Sequence, residues 1–553
     1  MILDGAERRV FRRPLCRISA DIAADVPAAL DAMARALDEG CFVAGWLGYE
    51  LGYALEPKLA QFCSGTPLLR LGVFESFDGV IEAPAGRAYA GPLMPQWDEA
   101  AYAARFAKVK DYIAAGDIYQ ANLSFRSRFP FLGDARALYE SLLAGSGAGH
   151  CGFVDDDARQ VASLSPELFF DLAADGAITV RPMKGTAPRE GEDDAARARL
   201  AASDKNRAEN LMIVDLIRND LSRIAQAGSV AVSDLFKVET YPSLHTMVST
   251  VTARKRAGVG VSDILRALFP CGSITGAPKI RAMEILHDLE ASPRGPYCGA
   301  VGFFAPDGSA SFNVAIRTLT MADGQGELGI GGGVVQDSQS ASEYAECLLK
   351  ARFFEDARKP LELIETLRFE NGFVRLEAHL ARMRASAAAL GLAFDPAKAR
   401  TALEAAVAGK DDAQRVRLSL DEAGTHRATA HDLPSNPDHW TYTLSPIRAQ
   451  SGDTLLCHKT SWRELYNAPH PGDEIVFQNE RGEITEGARS NVFVKGGDML
   501  LTPPLSCGVL PGILRAELLA SGRAREAVLT PDDLDGEVYF GNSLRGLIRA
   551  IRL

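Results

Sequence analysis

Short apolar runs broken by glycine turns dominate roughly the first 350 residues, while a few longer stretches place apolar side chains every three to four positions. The runs at 168–172 and 177–180 predict strands. The helical period predicts helices at 206–225 and 342–354, and a fresh pattern then opens with a strand at 361–369, a turn at Glu370-Asn371-Gly372 and a helix at 376–390. Between the two patterns lies Asp356-Ala357-Arg358-Lys359-Pro360, polar and closed by proline, which predicts a domain boundary. The chain therefore reads as a large α+β unit at 1–355, a linker at 356–360 and a smaller α+β unit at 361–553, the latter with a subdivision expected near 445–452. Heptads, short repeats and low-complexity tracts are absent from the sequence.

A chain of 553 residues exceeds what one core usually supports, in agreement with more than one domain. With 47% apolar residues, 24% charged residues and a net charge of −12, it lacks the basic excess that binding to a phosphate backbone favours. Nucleic acid and membrane are not expected partners. The first residues carry Arg8, Arg9, Arg12 and Arg13 without an apolar core of signal-peptide type, so the expected location is cytoplasmic. Nine cysteines at irregular spacing, with no Cys-x-x-Cys pair, fit a reducing compartment. None stands in a Gly-x-Cys-x-Gly context, the setting expected of a glutaminase nucleophile.

Lys184 is the most informative residue. It lies in Arg181-Pro182-Met183-Lys184-Gly185-Thr186-Ala187-Pro188-Arg189, where proline and glycine place it at a strand end or turn, able to face a cleft. Glu167, in Ser165-Pro166-Glu167, precedes it by seventeen residues, and a hairpin would bring the two together. An amine and a carboxylic acid in one cleft suit nucleophile and general-acid roles. Three helical carboxylates, Glu209 and the pair Glu343 and Glu346, offer hard oxygen ligands of the kind Mg²⁺ takes, although Glu346 also has Lys350 one turn away as an ion-pair partner. In Ser273-Ile274-Thr275-Gly276-Ala277-Pro278-Lys279 a glycine turn leads into a helix start that can receive a carboxylate. Arg317 can clamp a carboxylate through two hydrogen bonds, and Gly329-Ile330-Gly331-Gly332-Gly333 lets backbone approach a ligand closely.

Together these motifs, with Ala208 to Asp220 and Glu343-Tyr344-Ala345-Glu346, resemble the chorismate-utilising enzyme family over residues 40 to 355. The fold implied is a large α/β sandwich. In that family the anthranilate-forming members carry alanine where Lys184 stands, and the members forming 4-amino-4-deoxychorismate carry lysine. The resemblance implies that Lys184 adds to C2 of chorismate while Glu167 protonates the departing C4 hydroxyl, and that ammonia then adds at C4 and expels the lysine. It further implies Mg²⁺ held by Glu209 and Glu346, with Glu343 reaching it through water, and a pocket lined by Thr275, Gly276, Lys279, Tyr297, Arg317 and Gly331. Ammonia would come free or from a separate glutamine amidotransferase subunit. Thr246 stands where many members have histidine, and its neighbour His245 is given no catalytic role.

The second unit carries its own constellation. Lys459 ends a run, 455–457, that predicts a strand; Glu486 lies in Glu483-Ile484-Thr485-Glu486-Gly487; Gly508 to Arg515 opens a helix whose amides can hold a phosphate; and Arg382 sits with His379 on the helix 376–390. A Schiff-base lysine, a carboxylate for a pyridine nitrogen and phosphate anchors are what pyridoxal phosphate requires. In this order they resemble the fold-type IV pyridoxal-phosphate enzymes over residues 361 to 553, implying a compact α+β domain. The resemblance implies Lys459 as the cofactor lysine, Glu486 as the ring-nitrogen partner, and Arg382, Ser543 and the backbone of Ile513 and Leu514 as phosphate ligands. A homodimer through this unit is expected. The motifs do not separate a lyase that eliminates pyruvate to give 4-aminobenzoate, as the fusion favours, from an amino-acid transaminase or a non-catalytic dimerisation module; an anthranilate-forming first unit is the weaker alternative.

Overall fold

Every second side chain is buried along Ala177–Arg181 and through most of Leu69–Phe74, the mark of strands with one face on a core. The computed structural model describes residues 1–5, 7–63, 65–80, 83–84, 86–189, 193–240, 244–290 and 292–553. It divides into two units, one made of Met1–Glu82, Leu93–Phe129 and Tyr139–Ala357, the other of Ala83–Pro92, Pro130–Leu138 and Arg358–Leu553. Two short segments of the early chain thus cluster with the later one.

Among the described residues, the first unit is built on two large sheets of antiparallel strand pairs. Trp46 and Val301 of one sheet meet Val154 and Val161 of the other in a small apolar cluster. The main core lies where Val26–Asp38, Asp204–Ser222 and Val261–Leu268 cover the sheet that contains Leu69–Phe74 and Leu168–Leu172. Asp204–Ser222 forms because its buried positions, Asn210, Ile213, Val214, Ile217 and Leu221, recur at helical spacing, and the Ser203 hydroxyl accepts from the Asn206 amide at its start. The chain passes from one sheet to the other between Gln160–Ser165 and Leu168–Leu172, and back again between Ala310–Asn313 and Thr318–Ala322. These two crossings lie side by side, since the Val314 amide donates to the Glu167 carbonyl at 3.0 Å and the Leu164 amide to the Arg317 carbonyl at 3.1 Å.

The second unit holds a three-stranded antiparallel sheet, Leu363–Phe369, Gln414–Leu420 and His426–Asp432, packed on Leu376–Ala389 and Pro396–Val407 through Leu367, Leu380, Met383, Leu403 and Val416. An eight-stranded mixed sheet follows from Trp440–Ala449 onward, carrying the helix Ile513–Ala520 on Phe493, Leu514 and Leu518. The change of sheet falls at 433–439, ahead of the expected 445–452, because the polar residues after Ala449 close a strand that is already in the second sheet. Residues 454–457 form a 3₁₀ turn, not the expected strand, with Asp453 accepting from the Leu455 amide at its start. No helix among the described residues is long and apolar enough to cross a membrane.

Candidate active sites

Lys184 sits inside the strand Met183–Pro188, where a turn or strand end was expected. The strand is bulged at that point: Met183 pairs with Val248 and Thr186 with Thr246, so three steps on one side meet two on the other. Gly185 takes the extra residue at φ +81°, where a side chain would be strained and would also strike Asn206. The Thr246 hydroxyl donates to the Gly185 carbonyl at 3.1 Å and so ties the bulge to its partner strand. His245 is fully buried, with Nδ1 2.9 Å from the Thr240 hydroxyl and Nε2 3.4 Å from Asp193.

The bulge aims the Lys184 amine at the Ser273 carbonyl, 3.0 Å away. Burial pushes the amine below its usual value, against the pull of Glu209 and Glu167. Glu167 is reached by the expected hairpin, since Leu168 pairs with Arg181. Its carboxyl is 3% exposed and burial pushes it up to about 7, although the Ser273 hydroxyl and Lys184 pull it down. Such a shift is on the order of 3 kcal/mol in favour of the protonated form, more than the roughly 1 kcal/mol of a typical hydrogen bond, so desolvation wins. One carboxyl oxygen has no hydrogen-bond partner among the described residues, and neither does the side-chain amide of Gln120. A side chain at Gly333 would press on Gln120 and come into contact with the Lys184 amine, so glycine there leaves space beside the amine.

The remaining expected pocket residues stand as follows. Thr275 is buried, its hydroxyl donating to the Cys271 carbonyl at 2.6 Å, and Gly276 lies tight against the Gln120 carbonyl. Tyr297 is buried beneath Gly329, and Gly331 accepts at its carbonyl from Lys350 at 3.0 Å. Arg317 occupies the second sheet crossing at φ 49°, where burial lowers its pKa and no carboxylate pairs with it among the described residues. Lys279 is held by Asp220 at 2.5 Å and by the Leu268 carbonyl at 3.2 Å, so its charge is already matched. Glu209 is pushed up by burial and by Glu343 and Glu346, and Lys184 and Lys205 oppose that. Lys205 stands 3.9 Å from Glu209 and 3.8 Å from Glu343, so these two carboxylates reach a common cation. Glu346 is instead turned to Lys350 at 2.9 Å, the ion pair foreseen at that spacing; burial alone would raise its pKa, but Lys350 holds it low. Among the described residues no three His, Cys, Asp or Glu side chains are gathered closely enough to enclose a metal. Two carboxylates facing one cation still match the one or two that Mg²⁺ takes from protein.

In the second unit the Lys459 carbonyl accepts from the Ile364 amide at 2.8 Å, and the Lys459 amine has one long contact, 3.4 Å, with the Thr366 hydroxyl. Burial, and Arg382 nearby, push this amine down to about 8. Glu486 is 5% exposed and is pushed up to about 7 by burial. It accepts from the Tyr466 hydroxyl at 2.7 Å, the Leu510 amide at 3.1 Å and the Asn491 amide at 3.2 Å, which fix its direction. Gly512 must be glycine, because a side chain there would overlap Asn491, and no side chain caps the helix start at Ile513 and Leu514. Arg382 donates to the Pro511 carbonyl at 3.1 Å and twice to Glu365, and Ser543 lies 2.8 Å from His379 Nε2. A weakly held buried amine, a buried carboxyl and an uncapped helix start fit pyridoxal phosphate. Thr366 touches Lys459, whereas Arg368 is paired with Glu370.

The residues not anticipated from sequence are Gln120, Ser273, Glu365, Tyr466 and Asn491 as partners in these sites. Glu365 left a signal: a carboxylate at the centre of Leu363-Ile364-Glu365-Thr366-Leu367 must be exposed or paired. The others left none, because each is an ordinary polar residue until a distant segment packs over it.

By fold, the first unit is a chorismate-binding-type two-sheet sandwich and the second a class IV aminotransferase-type α+β unit. The chain belongs to the chorismate binding enzymes, whose family pattern matches residues 81–356, and the amino-transferase class IV pattern matches residues 362–553. It is 46% identical over 248 residues to aminodeoxychorismate synthase component 1 of Klebsiella aerogenes, covering 44% of this chain and 55% of that protein. It is 33% identical over 362 residues to an anthranilate synthase component 1 of Haloarcula marismortui, covering 56% of this chain and 72% of that protein. The crystal structure of anthranilate synthase component I from Streptococcus pneumoniae shares the fold, with a TM-score of 0.56 at 24% identity over 64% of this chain and 92% of that one. The chain spans about half the length of the aminodeoxychorismate synthase relatives it matches.

Proposed function

We propose that this chain makes 4-aminobenzoate from chorismate in two steps, forming 4-amino-4-deoxychorismate in the first unit and eliminating pyruvate from it in the second. The observation that carries the reading is a desolvated amine, Lys184, beside a carboxyl that burial keeps protonatable near neutrality, Glu167. Attack by the Lys184 amine on C2 shifts the ring double bonds, and the C4 hydroxyl leaves as water with the Glu167 proton. Ammonia then bonds to C4, the double bonds shift back and the C2–N bond to Lys184 breaks. Arg317 would take a substrate carboxylate with two of its guanidinium nitrogens. Thr275, Gly276, Tyr297 and Gly331 would line the ring, with Lys279 behind them. Glu209 and Glu343 would hold Mg²⁺, with Glu346 joining them on leaving Lys350, and the ion when bound supplies positive charge to a substrate carboxylate.

In the second unit pyridoxal phosphate, when bound, supplies a conjugated ring that accepts electrons from the substrate. Lys459, whose amine burial brings down to about 8 so that a fraction is unprotonated near neutral pH, removes the proton at C4; Glu486 holds the hydrogen on the ring nitrogen; and Arg382, Ser543 and the amides of Ile513 and Leu514 hold the phosphate. Aromatisation drives the loss of pyruvate. Relatives bearing the words component 1 support a partner that delivers ammonia, a separate glutamine amidotransferase. The site chemistry needs no nucleic acid or membrane, the cytoplasm is the proposed location, and a homodimer through the second unit is proposed.

The test is to incubate the full-length chain with chorismate, Mg²⁺, ammonium and pyridoxal phosphate. 4-Aminobenzoate is expected; anthranilate would overturn the first assignment, and amino transfer that depends on a 2-oxoacid would overturn the second. Removing Mg²⁺ with a chelator should stop consumption of chorismate and leave conversion of supplied aminodeoxychorismate unchanged. A pH profile gives a second check. Glu167 must be protonated to act as the acid, so kcat/KM for chorismate should fall as pH rises through about 7. The residual activity of Glu167→Gln should lack that alkaline limb; a limb in the same place would assign it to another group.

A further inference from the structure

Two buried residues of the second unit, Glu365 and His379, have no part in the steps above. Glu365, on Leu363–Phe369, and His379, on Leu376–Ala389, are each 1% exposed. Glu365 accepts from Arg382 Nε at 2.8 Å and Nη2 at 2.6 Å, and lies 2.6 Å from His379 Nδ1. His379 Nε2 is 2.8 Å from the Ser543 hydroxyl. Arg382 and Ser543, at the ends of this relay, are the groups assigned above to the cofactor phosphate.

Counting protons along the relay leads to a conclusion about what the phosphate does on arrival. Burial alone would raise Glu365, but Arg382 and His379 hold its carboxyl down to about 2, so it is ionised and accepts the Nδ1 hydrogen of His379. A neutral His379 then has only a lone pair at Nε2. The Ser543 hydroxyl must give its hydrogen to that lone pair, which leaves only lone pairs on its other side. A phosphate monoester near pH 7 is mostly a dianion, its second pKa being about 6, and carries no hydrogen to share. Lone pairs would then face lone pairs at a site shielded from water. Protonation of Nε2 removes the conflict, since His379 then donates to Ser543 and the hydroxyl hydrogen turns to the phosphate.

Charge argues the same way. Glu365 already offsets Arg382, so of the groups assigned to the phosphate the helix start at Ile513 brings the remaining positive charge, about half a charge. The groups facing His379 are Glu365 from its strand, Arg382 from its own helix, and Lys459 and Ser543 from the segments across. Among these, burial, Arg382 and Lys459 outweigh Glu365 and keep the ring below its usual value, hence neutral near pH 7. A dianion placed against Ser543 reverses that balance.

We infer that His379 takes up one proton from solvent when a phosphate monoester dianion binds, turning the Ser543 hydroxyl from a donor toward His379 into a donor toward the phosphate. The inference rests on the pyridoxal-phosphate reading of the second unit. The probe is pyridoxine 5′-phosphate, which lacks the aldehyde and forms no bond to Lys459. Its binding to the full-length chain freed of cofactor is followed by calorimetry near pH 7 in buffers of different ionisation enthalpy, and by ³¹P resonance. The expected result is a proton uptake that falls by close to one in His379→Gln, with the bound phosphate resonating as a dianion in the unsubstituted chain. Equal uptake in both chains, or a monoanion resonance, overturns the inference and leaves the phosphate site standing. Should His379→Gln not fold, Glu365→Gln removes the carboxylate that favours the cation, and unchanged uptake there is equally fatal. If pyridoxine 5′-phosphate binds no better than pyridoxine, the cofactor reading itself fails.

Discussion

Lys184→Ala should abolish 4-aminobenzoate formation from chorismate, by on the order of 1,000-fold or more in kcat/KM, because the substitution removes the nucleophile and not a binding contact. The fold around it should survive. The lost amine makes one hydrogen bond, to the Ser273 carbonyl, and the bulge that presents it is held by Gly185 and Thr246. Lys184, after the Ser273 hydroxyl, is one of the groups that pull Glu167 down, so without the amine that carboxyl should move further up. Conversion of supplied aminodeoxychorismate should stay within about twofold of the unsubstituted chain, because Lys184 belongs to the other unit. Product quantification with each substrate separately checks this. Loss of both conversions would mean that the two activities do not reside in separate sites.

Lys459→Ala should give the mirror image. Conversion of aminodeoxychorismate should fall by on the order of 1,000-fold or more, since the amine that removes the C4 proton is gone, while chorismate and ammonium are still consumed. Aminodeoxychorismate should then accumulate in place of 4-aminobenzoate. The visible absorbance of the bound cofactor should change as well, because its covalent attachment needs this amine. Lys459 is well suited to both tasks, as burial and Arg382 bring its pKa to about 8, where a useful fraction is unprotonated near neutrality. An unaltered absorbance band with full turnover would assign the chemistry to another lysine. A chain with no band and no turnover before substitution would support the dimerisation-module alternative.

Much of each site was legible as a set of chemical groups. The hairpin linking Glu167 to Lys184 follows from two apolar runs with a glycine turn between them, and the two strands pair as that pattern implies. The helices bearing Glu209, Glu343 and Arg382 follow from their periodicity. Lys184 itself was harder to place. Proline and glycine read as a strand end, yet the strand continues through them, because a bulge absorbs one residue without ending the pairing. The apolar content of the run before Lys459 predicts a strand, and Asp453 instead turns it into a 3₁₀ segment by capping it.

The sequence by itself determined which reactive groups exist, in what order, and which local elements carry them, because turns, caps and apolar periodicity act between residues close along the chain. It could not decide which groups meet or how they ionise. Ser273 comes to Lys184 from 89 positions away, and Ser543 to His379 from 164 positions away, through sheet crossings and packing that no local pattern records. Burial raises Glu167 and Glu486 to about 7 while Arg382 and His379 hold the equally buried Glu365 near 2. Three glutamates that are alike as letters differ because desolvation and neighbouring charge depend on what the folded chain lays over each one.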